Sequence, residues 1–285
     1  MARIPLPVLS RLLLPVLLAA ASCSVLEDRD PCPCRLSLTV SGPGGQQERS
    51  APIVLSVQEP DRSLLRREGL PLSVFDRQTP YRIEVPKRQQ LAVSGVFGLS
   101  GNLAPDAREI RIPEGHAADS LWFFSERVDT QRETLDLPVR LRKEYAGIEI
   151  AFAEAIDNPE GTFPYFIRLR GESSGLDLFS GAPLHGAFSC RPRELAPGVY
   201  QSTLPRQRPT DSLVLELWPR ESGKAEDEGP ADRISLDAFI AETRGFSWQD
   251  EDLKDLEILI DYARAQLQII VRDWDSETDP YFFSI

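Results

Sequence analysis

In the stretch 135–141, Leu135, Leu137, Val139 and Leu141 alternate with Asp136, Pro138 and Arg140. A period of two puts every second side chain on one face, so this segment reads as a strand with one face committed to a core. The same alternation, or a short apolar run bounded by turn residues, recurs at Leu36–Val40, Ile53–Val57, Tyr81–Val85, Leu91–Phe97, Arg108–Ile112 and Leu121–Phe124. A second series follows at Ile148–Phe152, Phe163–Leu169, Leu213–Leu217, Leu256–Ile260 and Leu267–Trp274. Helical spacing is rare. Leu236, Phe239 and Ile240 share one face of a helix predicted over Leu236–Thr243, with Gly245 placed to stop it. Ser63–Arg67 reads as one more turn of helix. Pro219–Arg233, rich in Glu, Asp, Gly and Pro, reads as a solvated loop, and 175–210 carries no legible pattern.

Many of the 24 prolines fall between the apolar runs, where they mark strand ends and turns. The expected class is therefore all-β. About thirteen strands are too many for one small sandwich of about seven to nine strands and suit two in tandem. The gap at Lys143-Glu144-Tyr145 lies between two good strands and divides the chain into sandwiches over 34–143 and 144–285.

Before the first strand the pattern changes. Arg3 and Arg11 give a basic start, Leu12–Ala21 is a short apolar run broken by Pro15, and Ser22 precedes Cys23. A spanning helix needs roughly 20 apolar residues, twice what is here. A basic start, a short apolar core and small residues at a cleavage point make residues 1–22 a signal peptide. Ala20-Ala21-Ser22-Cys23 resembles a bacterial lipobox, with Ala20 where that motif usually carries leucine. Cys23 is the expected lipidation site, and 23–33 an acidic tether containing Glu27, Asp28 and Asp30. Lipid contributes about 0.8 kcal/mol per buried CH₂, so two or more acyl chains hold a protein stably on a membrane.

Charge and chemistry narrow the function. Removing 1–22 removes two arginines and no acid, which takes the net charge from −12 to −14. A nucleic-acid binder needs a basic face, so that class of partner is not expected. Of the four cysteines, Cys32, Cys34 and Cys190 remain beside Cys23. An exported chain permits disulfides, and the expectation is one bridge, with Cys190 stapled to the Cys32-Pro33-Cys34 segment; all three thiols buried and reduced is the alternative. Metal is not expected, because His116, His185 and the cysteines show no ligand spacing. His185 and Cys190 are the one nucleophile–base combination on offer, and an exposed loop histidine near a structural cysteine is the simpler account of them. Asp250-Glu251-Asp252 and Asp273 with Asp275 read as solvated acidic faces. Trp122, Phe123, Phe124, Tyr165 and Phe166 are aromatics of the kind that line a sugar site or fill a core. No cofactor and no enzyme activity are expected.

Two stretches carry a resemblance. The first is Leu26-Glu27-Asp28-Arg29-Asp30-Pro31-Cys32-Pro33-Cys34-Arg35-Leu36. The second runs through Leu236-Asp237-Ala238-Phe239-Ile240, Phe246-Ser247-Trp248, Asp252-Leu253-Lys254-Asp255 and Val271-Arg272-Asp273-Trp274. With Tyr81-Arg82-Ile83-Glu84-Val85-Pro86 between them, they resemble the FimB-type fimbrial anchor lipoproteins of the Bacteroidales, minor subunits of type V pili. The resemblance implies two transthyretin-like β-sandwiches, a lipid anchor exposed on the outer membrane, and a role as anchor or accessory subunit that meets its pilin by strand complementation. It also implies that Glu27, Asp28 and Asp30 act as an acidic export signal; a plain acidic tether explains them as well. A surface lipoprotein or tip adhesin that binds a glycan or host protein is the alternative function.

The C-terminus is where an anchor would meet a pilin. Leu267, Ile269 and Val271 form one apolar face, and the chain closes on Tyr281-Phe282-Phe283-Ser284-Ile285. Chain ends are usually polar and frayed, so these residues are expected either to finish the second sandwich or to pair with a partner strand.

Overall fold

The computed structural model describes residues 32–42, 52–75, 79–101, 107–156, 161–220, 229–272 and the backbone of Tyr281–Ser284. The signal peptide, Cys23, the tether as far as residue 31, Trp274 and Ile285 lie outside them. No helix among the described residues is long and apolar enough to cross a membrane. The chain is nearly all β, with two short helices, α1 (Ala153–Ile156) and α2 (Leu236–Glu242).

Four sheets pair into two layered units. In the first, β1 (Cys34–Ser41) lies between β4 (Tyr81–Val85) and β8 (Thr134–Arg140), antiparallel to one and parallel to the other. Facing it is a five-stranded sheet in the order β3 (Leu64–Pro71), β2 (Pro52–Gln58), β5 (Leu91–Phe97), β7 (Trp122–Val128), β9 (Arg142–Lys143). The alternating residues meet between the layers: Leu36 and Leu38 pack with Ile53, Leu55, Val93 and Phe124. At the centre of the larger sheet Gly95 is required, since a Cβ there would collide with the ring of Phe124.

The second unit joins a six-stranded sheet to a five-stranded one. The six strands run β13 (Arg193–Ala196), β14 (Val199–Pro205), β10 (Tyr145–Phe152), β17 (Asp255–Asp261), β18 (Gln266–Arg272), β19 (Tyr281–Ser284). The five-stranded sheet runs β12 (Pro183–Cys190), β11 (Tyr165–Asp177), β15 (Leu213–Pro219), β16 (Asp232–Ser235), with β6 (Glu109–Arg111) also paired to β11. One core, its buried residues drawn from between Ala146 and Val271 and with Ile112 packed against it, fills the space between the two.

Strand β6 is a finding of its own. It belongs to the first half of the chain and pairs with the far end of β11, Gly175 opposite Arg111. A Cβ at Gly175 would strike the carbonyl oxygen of Ile110, so glycine is what lets the two backbones meet. Around this crossing Val96, Ile110, Leu121, Phe123, Leu176 and Leu178 form a third apolar cluster that spans both halves. It also explains why β5 and the start of β7 are buried on both faces.

A polar joint surrounds the turn between β9 and β10. Lys143, 1% exposed, donates from Nζ to Asp255 at 2.6 Å and lies over the Tyr145 ring at 4.6 Å. Buried Glu144 pairs with Arg206 at 2.6 Å, and Arg206 donates onward to the carbonyls of Trp248 (2.6 Å) and Asp250 (2.7 Å). Asp252 accepts from the Lys143 backbone and from Arg140, so this acid run holds the joint where a solvated face was expected.

Four readings of the sequence are corrected. Of Ser63–Arg67, all but Ser63 falls in edge strand β3, where ladder pairing to β2 overrides the local helical preference. His185, expected in a loop, lies in β12. The patternless stretch 175–210 holds the end of β11 and all of β12 to β14, and part of the Pro219–Arg233 loop is strand β16.

Candidate partner-docking edge

The C-terminal edge is built on a hairpin. β17 and β18 pair along their full length, from Asp255 opposite Arg272 to Asp261 opposite Gln266. Their turn needs a residue in the left-handed region, which Ala265 occupies at φ 50°. Asp261 steadies the turn by accepting from the Arg264 backbone at 2.9 Å, and Glu154 of α1 accepts from the Ala263 backbone at 2.6 Å.

Of the candidate partner-strand residues, Leu267, Ile269 and Val271 are fully buried in the chain's own core. Their side chains are already in use and are not available to a partner. Tyr281, Phe282 and Phe283 form β19 with Ser284, pairing antiparallel with β18 from Ile269 opposite Tyr281 to Gln266 opposite Ser284. One backbone edge results. One side of β19 faces β18, and its other side has no strand beside it among the described residues. Unpaired main-chain N–H and C=O groups of this kind are what a further strand needs.

The cysteines do not form the expected staple. Cys32, Cys34 and Cys190 are free thiols, Cys32 exposed and the other two buried. The reason is packing: Cys34 lies in the first core and Cys190 in the second, each surrounded by its own unit. Burial pushes both thiols up, Cys190 to about 11, with only a Ser202 hydroxyl 3.4 Å away to favour the thiolate. Such thiols are poor nucleophiles. His185 takes a hydrogen bond from Arg208 at 2.5 Å on Nδ1, so the candidate nucleophile and base serve separate neighbours. His116 is exposed in a turn, its Nδ1 3.1 Å from the Glu114 carbonyl. Among the described residues no group of three His, Cys, Asp or Glu side chains converges as a metal site.

The aromatics divide. Trp122, Phe123 and Phe124 are core, and Tyr165 packs on the edge of the second core. Phe166 is different: it lies on the outer face of the five-stranded sheet, stacked on Trp218. Sequence reasoning passed over the arginines around that pair because they come from β11, from β16 and from the residue after β12, far apart in the chain.

No protein-family profile matches the chain, and no curated protein sequence does. Solved structures do. A proposed polysaccharide-binding protein of Bacteroides thetaiotaomicron aligns with TM-score 0.60 at 15% identity, covering 85% of this chain and 96% of that one. The fimbrial anchor protein Mfa2 of Porphyromonas gingivalis aligns with TM-score 0.58 at 11% identity, covering 85% and 98%. A proposed adhesin of Bacteroides ovatus aligns with TM-score 0.57 at 14% identity, covering 90% and 98%. At these identities the chain shares their fold, along nearly the whole length of each.

Proposed function

We propose that this chain is a surface subunit of a fimbrium, of the anchor or accessory kind. Lipid on Cys23 holds it on the outer membrane, and β-strand pairing at the β18–β19 edge joins it to a pilin. The observation that carries the reading is the shared architecture with a fimbrial anchor over 98% of that protein's chain, in a sequence that itself opens with a lipobox-like Ala20-Ala21-Ser22-Cys23. The open edge beside Tyr281–Ser284 supports it. In strand pairing, main-chain hydrogen bonds supply affinity and the alternating side chains supply register. The two corelike units, crossed by β6 and locked by the Arg206 joint, suit a subunit that must pass tension from a fibre to a membrane.

Truncation tests the docking edge. Deleting Pro280–Ile285 is expected to abolish capture of purified pilin in a pull-down while the remaining sandwich still gives a cooperative melt. Full pilin capture by the truncated protein would place the docking surface elsewhere. Cys23→Ser tests the anchor: the variant should leave the membrane fraction and take up no labelled palmitate, and continued labelling and sedimentation would contradict it.

A further inference from the structure

The outer face of the second unit's five-stranded sheet gathers cations on a chain whose formal charge is −12. Register does this. In one row Arg168 of β11 stands opposite Glu216 of β15, and Glu216 opposite Arg233 of β16. The next row on one side pairs Phe166 with Trp218, and on the other Arg170 with Val214. Ile167, Leu169, Leu215 and Leu217 turn into the core, so the alternate positions share the opposite face. Arg191 follows the last residue of β12.

The aromatic pair organises two of these arginines. Phe166 and Trp218 are stacked, with centroids 6.2 Å apart and planes at 11°. The Arg168 guanidinium lies 4.9 Å from the Trp218 centroid, and that of Arg191 lies 4.2 Å from the Phe166 centroid. Glu216, 1% exposed, is already satisfied by Arg170 at 3.4 Å, Arg233 at 3.2 Å and the Trp218 indole N–H at 3.2 Å. Arg168 and Arg191 have no hydrogen-bond or ion-pair partner among the described residues. A guanidinium over an aromatic ring still presents its N–H donors, in a fork that matches a carboxylate. Four arginines against one carboxylate leave the face net positive.

We propose that this face is a binding site for a carboxylated polysaccharide, its uronate groups taken by Arg168 and Arg191. Arg168 and Arg233 lie two strand spacings apart, about 10 Å, so cationic groups repeat along the row as carboxylates repeat along such a polymer. The three rows contain one aliphatic residue, half-buried Val214, too little for the dry apolar centre of a protein interface. A nucleic acid would bring a dense phosphate charge against an acidic chain, which a patch of this size does not offset. The site is independent of strand pairing at the C-terminal edge, on the other sheet of the unit.

The test is titration of the detergent-solubilised full chain with polygalacturonate, with dextran as neutral control and polyglutamate as acidic-protein control. Polygalacturonate should bind in a salt-dependent way and dextran should not. R168A/R191A should raise Kd by about tenfold or more, and R35A, which removes an exposed arginine of the first unit, should leave it unchanged. R191A alone, at an exposed position, gives the same reading if the double variant melts early. Failure to bind polygalacturonate, equal binding of dextran or polyglutamate, or equal weakening by R35A and R191A would overturn the proposal.

Discussion

The two units end their sheets differently. In the first, β8 is the last strand beyond β1, and Leu135 and Leu137 on its inner face stay half-buried. In the second, Leu267, Ile269 and Val271 of β18 are fully buried, and a further strand of four residues, β19, lies outside them. An edge strand bears the exposure that a strand one place further in escapes. The apolar chain end thus has a structural use, and what it leaves open to a partner is its outer backbone edge.

The sharpest way to test how the two units depend on each other is to cut their joint. Arg206→Ala takes the nearer guanidinium from the buried Glu144 carboxylate, leaving that of Arg142 at 3.8 Å, and frees the carbonyls of Lys143, Trp248, Asp250 and Glu251. A loss of about 3 kcal/mol is expected in denaturant unfolding, the low end for breaking a buried ion pair, since Arg142 stays beside Glu144. A loss under about 1 kcal/mol would mean that Arg206 holds little and the two units are coupled mainly by the β6 crossing and the apolar cluster around it.

The next prediction compares the edges directly. Ile269→Ala removes a fully buried side chain and should cost about 2–4 kcal/mol. Leu137→Ala, on the half-buried rim, should cost about half as much. Equal losses by chemical denaturation would erase the distinction between the covered and the uncovered edge.

The buried cysteines give a smaller contrast. The Cys190 thiol keeps its proton to about pH 11 in the fold and releases it near its ordinary 9 when unfolded. Between those values the unfolded state binds fewer protons, so this group's contribution to stability is complete below pH 9 and is lost as pH rises. The loss should approach an order of 2 kcal/mol by pH 11, and Cys190→Ala should flatten that part of the profile. An equally steep profile in the variant would assign the proton to another group. Thiol counting is the mildest test: Cys32 should react with a thiol reagent at once, and Cys34 and Cys190 only on unfolding. Rapid labelling of Cys190 would contradict its burial.

Much of the fold was legible where alternation is strict. Tyr81–Val85 and Leu91–Phe97 carry the expected bounds, and the predicted helix at Leu236 ends one residue early, at Glu242. What was hidden had no alternation to read. β12 contains proline, two alanine-or-glycine positions and a histidine, and its pairing with β11 slips twice around Ser173. β13 is exposed throughout. Edge strand β3 bears Arg66, Arg67 and Glu68, which suit a solvent-facing edge but resemble a helical turn in one dimension. At the candidate sites, the apolar tail was visible because its residues are contiguous. The arginine–aromatic face was not, since only the pairing of β11, β15 and β16 brings residues 166–170, 216–218 and 233 together.

The most direct measurement is amide hydrogen exchange on the full chain, with and without purified pilin. Alone, the amides of Leu267 and Ile269 should exchange slowly and those within Tyr281–Ser284 faster, as befits an outer strand. If the outer edge of β19 receives the pilin, protection should rise at Tyr281–Ser284 when pilin is added. A complex that forms while this segment exchanges unchanged would contradict docking at this edge.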